Sequence, residues 1–293
     1  MRTLILLAAS ASVLLAPQAA PPAVDIANLV KLASGWTVRF ETSLSGVLFH
    51  ERYEQSLSAD GMTMRMGAGA PLSRSTGGSG NLGRLFLEAN IFLIKPPGAN
   101  RFVVYRDIYR TGRDALEDHT DRLQALLVEN TASAFAHAKR LTDASARLNV
   151  GPIDRNINTP TMAFEYLKPE HLARLRVRPV GLEVVDGREL VVIEIQEIGS
   201  PTLVRGEHDA DSPATGRYWI DPASGAVPRA AIELKVSPYT GRLEVKLALH
   251  DEMKIWVPTE MTEVWTAGTR RVNGLAHYGR FQRFVVSTEE IVK

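Results

Sequence analysis

Along most of this chain, hydrophobic and polar residues alternate singly, the period of a half-buried β-strand. Trp36, Val38 and Phe40 alternate with Thr37, Arg39 and Glu41, and Val47 to Leu57 continues in extended character up to the hairpin signal Asp60-Gly61. Thr63 to Met66 reads as the return strand, and Leu85 to Lys95 and Arg101 to Arg110 as two further strands. The second half repeats the pattern in Leu172 to Pro179, Leu190 to Ile198, Arg217 to Ile220, Ala230 to Val236, Leu243 to Leu249, Glu260 to Ala267 and Ala276 to Ser287. Asp186-Gly187 and Asp221-Pro222-Ala223-Ser224-Gly225 mark turns between them.

Other periods interrupt the alternation. Val24 to Ser34 places Ile26, Leu29, Val30 and Ala33 at helical spacing, with Gly35 as a stop, which predicts a short amphipathic helix. Ala115 to Leu148 carries Leu116, Leu123, Leu126, Leu127, Phe135, Ala138 and Leu141 at helical spacing, and Thr159-Pro160 suits a helix start running to Leu167. Ala68 to Gly83 is rich in Gly and Ser and reads as a mobile loop. Strands joined by short turns pair antiparallel, and one-sided alternation leaves one face packed and the other in water. The predicted class is therefore α+β: a large curved antiparallel sheet of eight to eleven strands, an open half-barrel with helices packed on its concave face.

The N-terminus adds a targeting signal. Arg2 precedes the uncharged apolar run Leu4 to Ala16, and small residues follow as far as Ala19 and Ala20. That run is shorter than the roughly 20 residues needed to span a bilayer. Residues 1–20 are expected to be a signal peptide and 21–293 a single domain, with the product periplasmic or secreted and not integral to the membrane after cleavage. Composition narrows the chemistry further. Among 293 residues there is no cysteine, which removes thiol catalysis, zinc–thiolate sites, iron–sulfur clusters and disulfides. A formal net charge of +1 gives no global field for nucleic acid.

Candidate chemistry is sparse. The glycines around Ser79 lack the spacing of a nucleophile elbow. None of His50, His119, His137, His171, His208, His250 and His277 forms a close metal-binding pair. Asp114, Glu117, Asp118, His119 and Asp121 cluster where a helix is expected to begin, which suits the helix dipole or, alternatively, a metal ion. Glu207, His208, Asp209 and Asp211 read as a solvated acidic loop without the pattern of a calcium loop. Arg174, Arg176 and Arg178 fall on one face of a strand. They could grip anionic head groups, or simply pair with Glu194 and Gln196 on a neighbouring strand. Aromatic residues (Phe86, Phe92, Phe102, Phe135, Phe164, Tyr166, Trp219, Trp256, Trp265, Phe281 and Phe284) are spread over strands and helices, as core or as the lining of a dry cavity.

The string Tyr218-Trp219-Ile220-Asp221-Pro222-Ala223-Ser224-Gly225, with Arg229 and an alternating strand behind it, resembles the strand–turn–strand of periplasmic lipoprotein carriers and related sigma-factor regulatory sensors. Gly274 to Thr288 is similar to their closing strand. More closely, the chain resembles an uncharacterised family of exported bacterial proteins. The matching stretches are Glu51-Arg52-Tyr53-Glu54-Gln55, Tyr105-Arg106-Asp107-Ile108-Tyr109, and Asn149-Val150-Gly151-Pro152 with Arg155, Ile157, Asn158, Pro160 and Thr161. The resemblance implies a lipoprotein-carrier-like half-barrel and a non-enzymatic protein that binds a lipid or an acylated protein between sheet and helices. No catalytic, cofactor, metal or ligand-binding residue is assigned. Two alternatives stay open: an envelope protein–protein interaction or sensor module with a sealed core, and a hydrolase whose site would lie near His119.

Overall fold

One continuous sheet absorbs nearly all of the alternating segments. The computed structural model describes residues 24–59, 80–94, 102–115, 140, 147–150 and 157–283. A long helix, α1 (Ile26–Leu44), is followed by β1 (Val47–Ala59), β2 (Gly80–Ile94), β3 (Val103–Thr111) and the short β4 (Asp114–Ala115). Two single-turn helices, α2 (Met162–Glu165) and α3 (Pro169–Leu172), precede β5 (Leu175–Val185), β6 (Arg188–Glu197), β7 (Ala214–Ile220) and β8 (Arg229–Val236). β9 (Tyr239–Leu249), β10 (Trp256–Ala267) and β11 (Arg270–Arg283) complete the order β4-β3-β2-β1-β11-β10-β9-β8-β7-β6-β5. All pairings are antiparallel, and the first strand meets the last, with Tyr53 opposite Ala276.

The sheet curls around α1. Arg188 at the start of β6 stacks over the ring of Trp256 at the start of β10, 5.3 Å from its centroid. Four inter-strand steps of about 4.8 Å would hold those strands roughly 19 Å apart in a flat sheet. On the helix, Leu29, Ala33, Trp36, Phe40 and Leu44 form one buried stripe, and Asp25 caps the first turn by accepting the Asn28 N–H at 3.1 Å. The β7–β8 turn closes on the helix backbone. Gly225 has φ +73°, and a Cβ there would lie 2.5 Å from the Leu32 carbonyl carbon, so only glycine fits. The core lies between α1, α2 and the concave face, and the Tyr218 hydroxyl ties β7 to α2 by donating to the Ala163 carbonyl at 2.7 Å.

The class and curvature agree with expectation, while several boundaries differ. α1 runs through Gly35 to Leu44, so Trp36, Thr37, Phe40 and Glu41 are helical. Trp36 and Phe40 satisfy periods of two and of about four; the stripe continuing from Leu29 and Ala33 decides for the helix, and one glycine is tolerated at roughly 1 kcal/mol. β2 begins at Gly80, inside the segment read as loop. Asp114 lies in β4. The helix expected from Thr159 to Leu167 is only α2, and α3 takes residues 169–172 from the strand expected at Leu172. The predicted Asp60-Gly61 hairpin and its return strand, nearly all of the helical block from 115 to 148, and the signal segment lie outside the described residues.

Candidate functional site

Charged side chains occupy concave positions where a strand pattern calls for apolar ones. On β1, Glu51 sits between Phe49 and Tyr53; on β3, Arg106 lies between Val104 and Ile108; on β10, Glu263 lies between Met261 and Trp265. Glu51 and Arg106 are 0% and 4% exposed. Their contact has two arms: Arg106 Nε stands 2.8 Å from Glu51 Oε2, and Nη2 donates to Oε1 at 3.0 Å. Arg106 Nη2 also donates to the Asn158 carbonyl at 2.9 Å. The Asn158 amide donates onward to Glu263 Oε1 at 3.1 Å. Tyr53 donates to the same Glu263 oxygen, and Trp265 Nε1 donates to Glu263 Oε2 at 3.0 Å. The Tyr278 hydroxyl donates to Glu51 Oε1 at 3.2 Å.

This network closes on itself. Burial, the largest single influence, would lower the basicity of Arg106, but Glu51 together with Tyr278 and Tyr53 outweighs it and holds the guanidinium above its ordinary pKa. Burial, reinforced by Glu51, pushes the Tyr278 hydroxyl well above its usual value. Protein donors or the guanidinium face every oxygen of Glu51 and Glu263, so neither carboxylate is presented as a general base. What the network does is join chain segments: β1, β3, β10 and β11 to Asn158, while Gln55 nearby accepts the Val150 N–H at 2.6 Å. β11 allows it by carrying no side chain at 274, where a Cβ would lie 2.5 Å from both Glu263 Oε1 and the Tyr53 hydroxyl.

A different environment surrounds α1. Trp36 and Phe40 stack with centroids 5.2 Å apart, Phe40 meets Phe164 at 5.2 Å, and Trp36 meets Trp256 edge-on at 6.1 Å. Beside this cluster Lys168 is held between two carboxylates, 2.8 Å from Glu41 Oε2 and 2.7 Å from Glu165 Oε1. Desolvation, and then the charge of Glu165, raise the Glu41 carboxyl to about 8 against the pull of Lys168. The triad therefore holds one proton more than three isolated groups would at neutral pH. Past the aromatic cluster the concave side carries apolar residues in the open: Leu182, in register with core residue Val191, is 42% exposed and Val184 is 72% exposed.

Residues singled out from sequence are dispersed. Arg176 and Arg178 lie on the outer face, opposite Gln196 and Glu194 in register and in contact with them. Arg205 pairs with Asp209 and Asp211, so the second acidic loop is an exposed ion cluster. His50 is buried on β1 beside Tyr109, and burial, helped by Arg280, lowers its pKa. The cluster from Glu117 to Asp121 lies outside the described residues, among which no group of carboxylates and histidines could hold a metal ion. Phe164, Trp219 and Trp265 are buried. The stretches that carry the family resemblance do converge: Glu51, Tyr53, Arg106 and Asn158 belong to the network, and Gln55 and Val150 pair beside it. Glu263 is not among the residues singled out from sequence, although a carboxylate at a core-parity position is a readable signal.

No family model matches the chain, and no curated protein does. Among solved structures, it is similar to a DUF1329 family protein from Desulfovibrio piger, at 9% identity over 87% of this chain and 93% of that one, with a TM-score of 0.32. A domain from Vibrio parahaemolyticus described as outer membrane lipoprotein-sorting aligns at 12% identity over 89% and 94% of the two chains, with a TM-score of 0.33. The MucA/MucB complex of Pseudomonas aeruginosa matches at 9% identity over 86% and 99%, with a TM-score of 0.19.

Proposed function

We propose that this is a non-enzymatic periplasmic protein that binds an apolar chain, a lipid or an acylated protein, against the concave side of its sheet. The observation that carries the reading is the uncovered apolar ledge at the end of β5. There Leu182 and Val184 stand 42% and 72% exposed, beyond the curl that packs Trp36 and Trp256 together. An acyl chain laid along the ledge would gain about 0.8 kcal/mol per buried methylene. The apolar run from Leu4 to Ala16 behind Arg2 supports export. Saturation of Glu51 and Glu263 by protein donors supports a binding rather than a catalytic role.

Native mass spectrometry of the mature protein purified from periplasm, with lipid extraction, tests this. A bound acyl species is expected, and Leu182→Glu with Val184→Glu should reduce uptake of an added fatty acid about tenfold or more. Both positions are exposed, so the fold is expected to survive. A second reading, a sealed interaction module, is favoured by the close packing of Trp36, Phe40 and Phe164. A clean apo mass with no uptake would select it.

A further inference from the structure

The outer face of β5 to β9 carries two adjacent cross-strand rows of polar residues. One row runs Arg178–Glu194–Arg217–Ala231–Glu244 in strict register. Its neighbour runs Arg176–Gln196–Thr215–Glu233–Arg242. Ala231 and Thr215 are short where their neighbours are long, so the centre of the two rows sinks into a depression of about 520 Å³. That volume suits a small-molecule ligand.

Charge within the depression is unbalanced. Four arginines (176, 178, 217 and 242) and two glutamates (194 and 233) line it, a formal excess of 4 − 2 = +2, with Glu233 paired to Arg242 at 3.2 Å and Glu183, outside the lining, 3.8 Å from Arg217. Glu194 takes Arg178 on one side and Arg217, at 3.3 Å, on the other, so one carboxylate holds two guanidiniums side by side. Arg176 reaches only the neutral Gln196, at 3.0 Å. Glu244, at the end of the first row, is engaged by Arg229 at 2.7 Å as well as by Arg242 at 3.1 Å, and it does not line the depression. Guanidinium groups on β5, β7 and β9 thus converge on a floor of small and neutral residues. A phosphate monoester, a dianion with three oxygens for planar donor forks, matches both the charge and the donor geometry.

The geometry points to a phosphate-ester binding site in this outer-face depression, separate from the apolar ledge, with Arg176, Arg178, Arg217 and Arg242 as its donors. The ester belongs either to a soluble metabolite or to a lipid head group. Isothermal titration with glycerol 3-phosphate and co-sedimentation with vesicles of phosphatidic acid, against phosphatidylcholine controls, separate the two sources. Saturable binding of glycerol phosphate assigns a soluble ligand; binding to phosphatidic acid vesicles alone assigns a head group. Ala231→Leu fills the floor while keeping every arginine, and Arg176→Gln with Arg178→Gln removes two donors from the exposed edge strand. Each variant should weaken binding about tenfold or more, with unchanged circular dichroism. Failure of both probes to bind the unaltered protein at physiological ionic strength, or full binding by the Ala231→Leu variant, would overturn the assignment.

Discussion

Arginine–carboxylate pairs stand on both faces of the sheet, and they differ in almost everything but chemistry. On the concave side Arg106 and Glu51 are 4% and 0% exposed and each has further protein partners. On the outer side Arg178 and Glu194 are 68% and 35% exposed and lie in a ladder open to water. A buried pair has surrendered its hydration, so its attraction mainly offsets desolvation, and each ion depends on the other. An exposed pair keeps its water, and its ions stay available to a ligand. The difference separates clasp from surface: the inner network determines which segments meet, and the outer ladder leaves charge at the disposal of other molecules.

The sharpest way to break the comparison is to remove one inner ion. Arg106→Met should cost about 3–5 kcal/mol, because Glu51 is left buried without its counter-ion. Chemical denaturation with the midpoint and slope fitted separately measures it. The double variant Arg106→Met with Glu51→Leu should recover a large part of the loss. If it were instead as unstable as the two single losses added together, the pair would not act as a unit.

How far the sequence revealed this arrangement depends on whether neighbours in space were also neighbours in pattern. Alternation is local, so the strands, their antiparallel pairing and the curl were legible, as was the Asp221–Gly225 turn, where Asp221 accepts the Ala223 and Ser224 N–H groups at 2.9 Å. The extent of α1 was not, because Trp36 and Phe40 fit either period while Val38, which lies on the exposed side of the helix, fits only the alternation. The inner network was half legible. Glu51, Arg106 and Asn158 lie in stretches that stood out through family resemblance, but Arg106 is 55 positions from Glu51 and 52 from Asn158, and Asn158 is 105 from Glu263. No local rule pairs such distant residues.

Glu41 gives an intermediate effect, dependent on pH. Its carboxyl titrates at about 8 in the fold and near 4.5 when unfolded. The native state therefore binds the extra proton between those values. The resulting contribution to stability is complete below pH 4.5 and is lost as pH rises through about 8. Within that window the slope is about 1.4 kcal/mol per pH unit at most for one proton. Glu41→Gln keeps a neutral partner for Lys168 and removes the titration. Thermal unfolding followed from pH 5 to pH 8 should show wild-type stability falling relative to the variant. Parallel curves would mean that Glu41 is ionised in the fold.

The smallest effect belongs to the outer ladder. Arg178→Ala removes a guanidinium that is 68% exposed and whose carboxylate partner, Glu194, is also engaged by Arg217. Glu194 is left paired and hydrated, so neither an orphaned charge nor a cavity results. Stability should change by less than about 1 kcal/mol, read as a shift in the denaturation midpoint at constant slope. Binding in the depression should fall nonetheless, because that guanidinium is one of its four. Loss of stability comparable with that of Arg106→Met would mean that the outer row is a second clasp, and the contrast between the two faces would disappear. A stable variant with weakened phosphate-ester binding would show the reverse: the same ion pair that fastens the fold where it is dry serves recognition where it is wet.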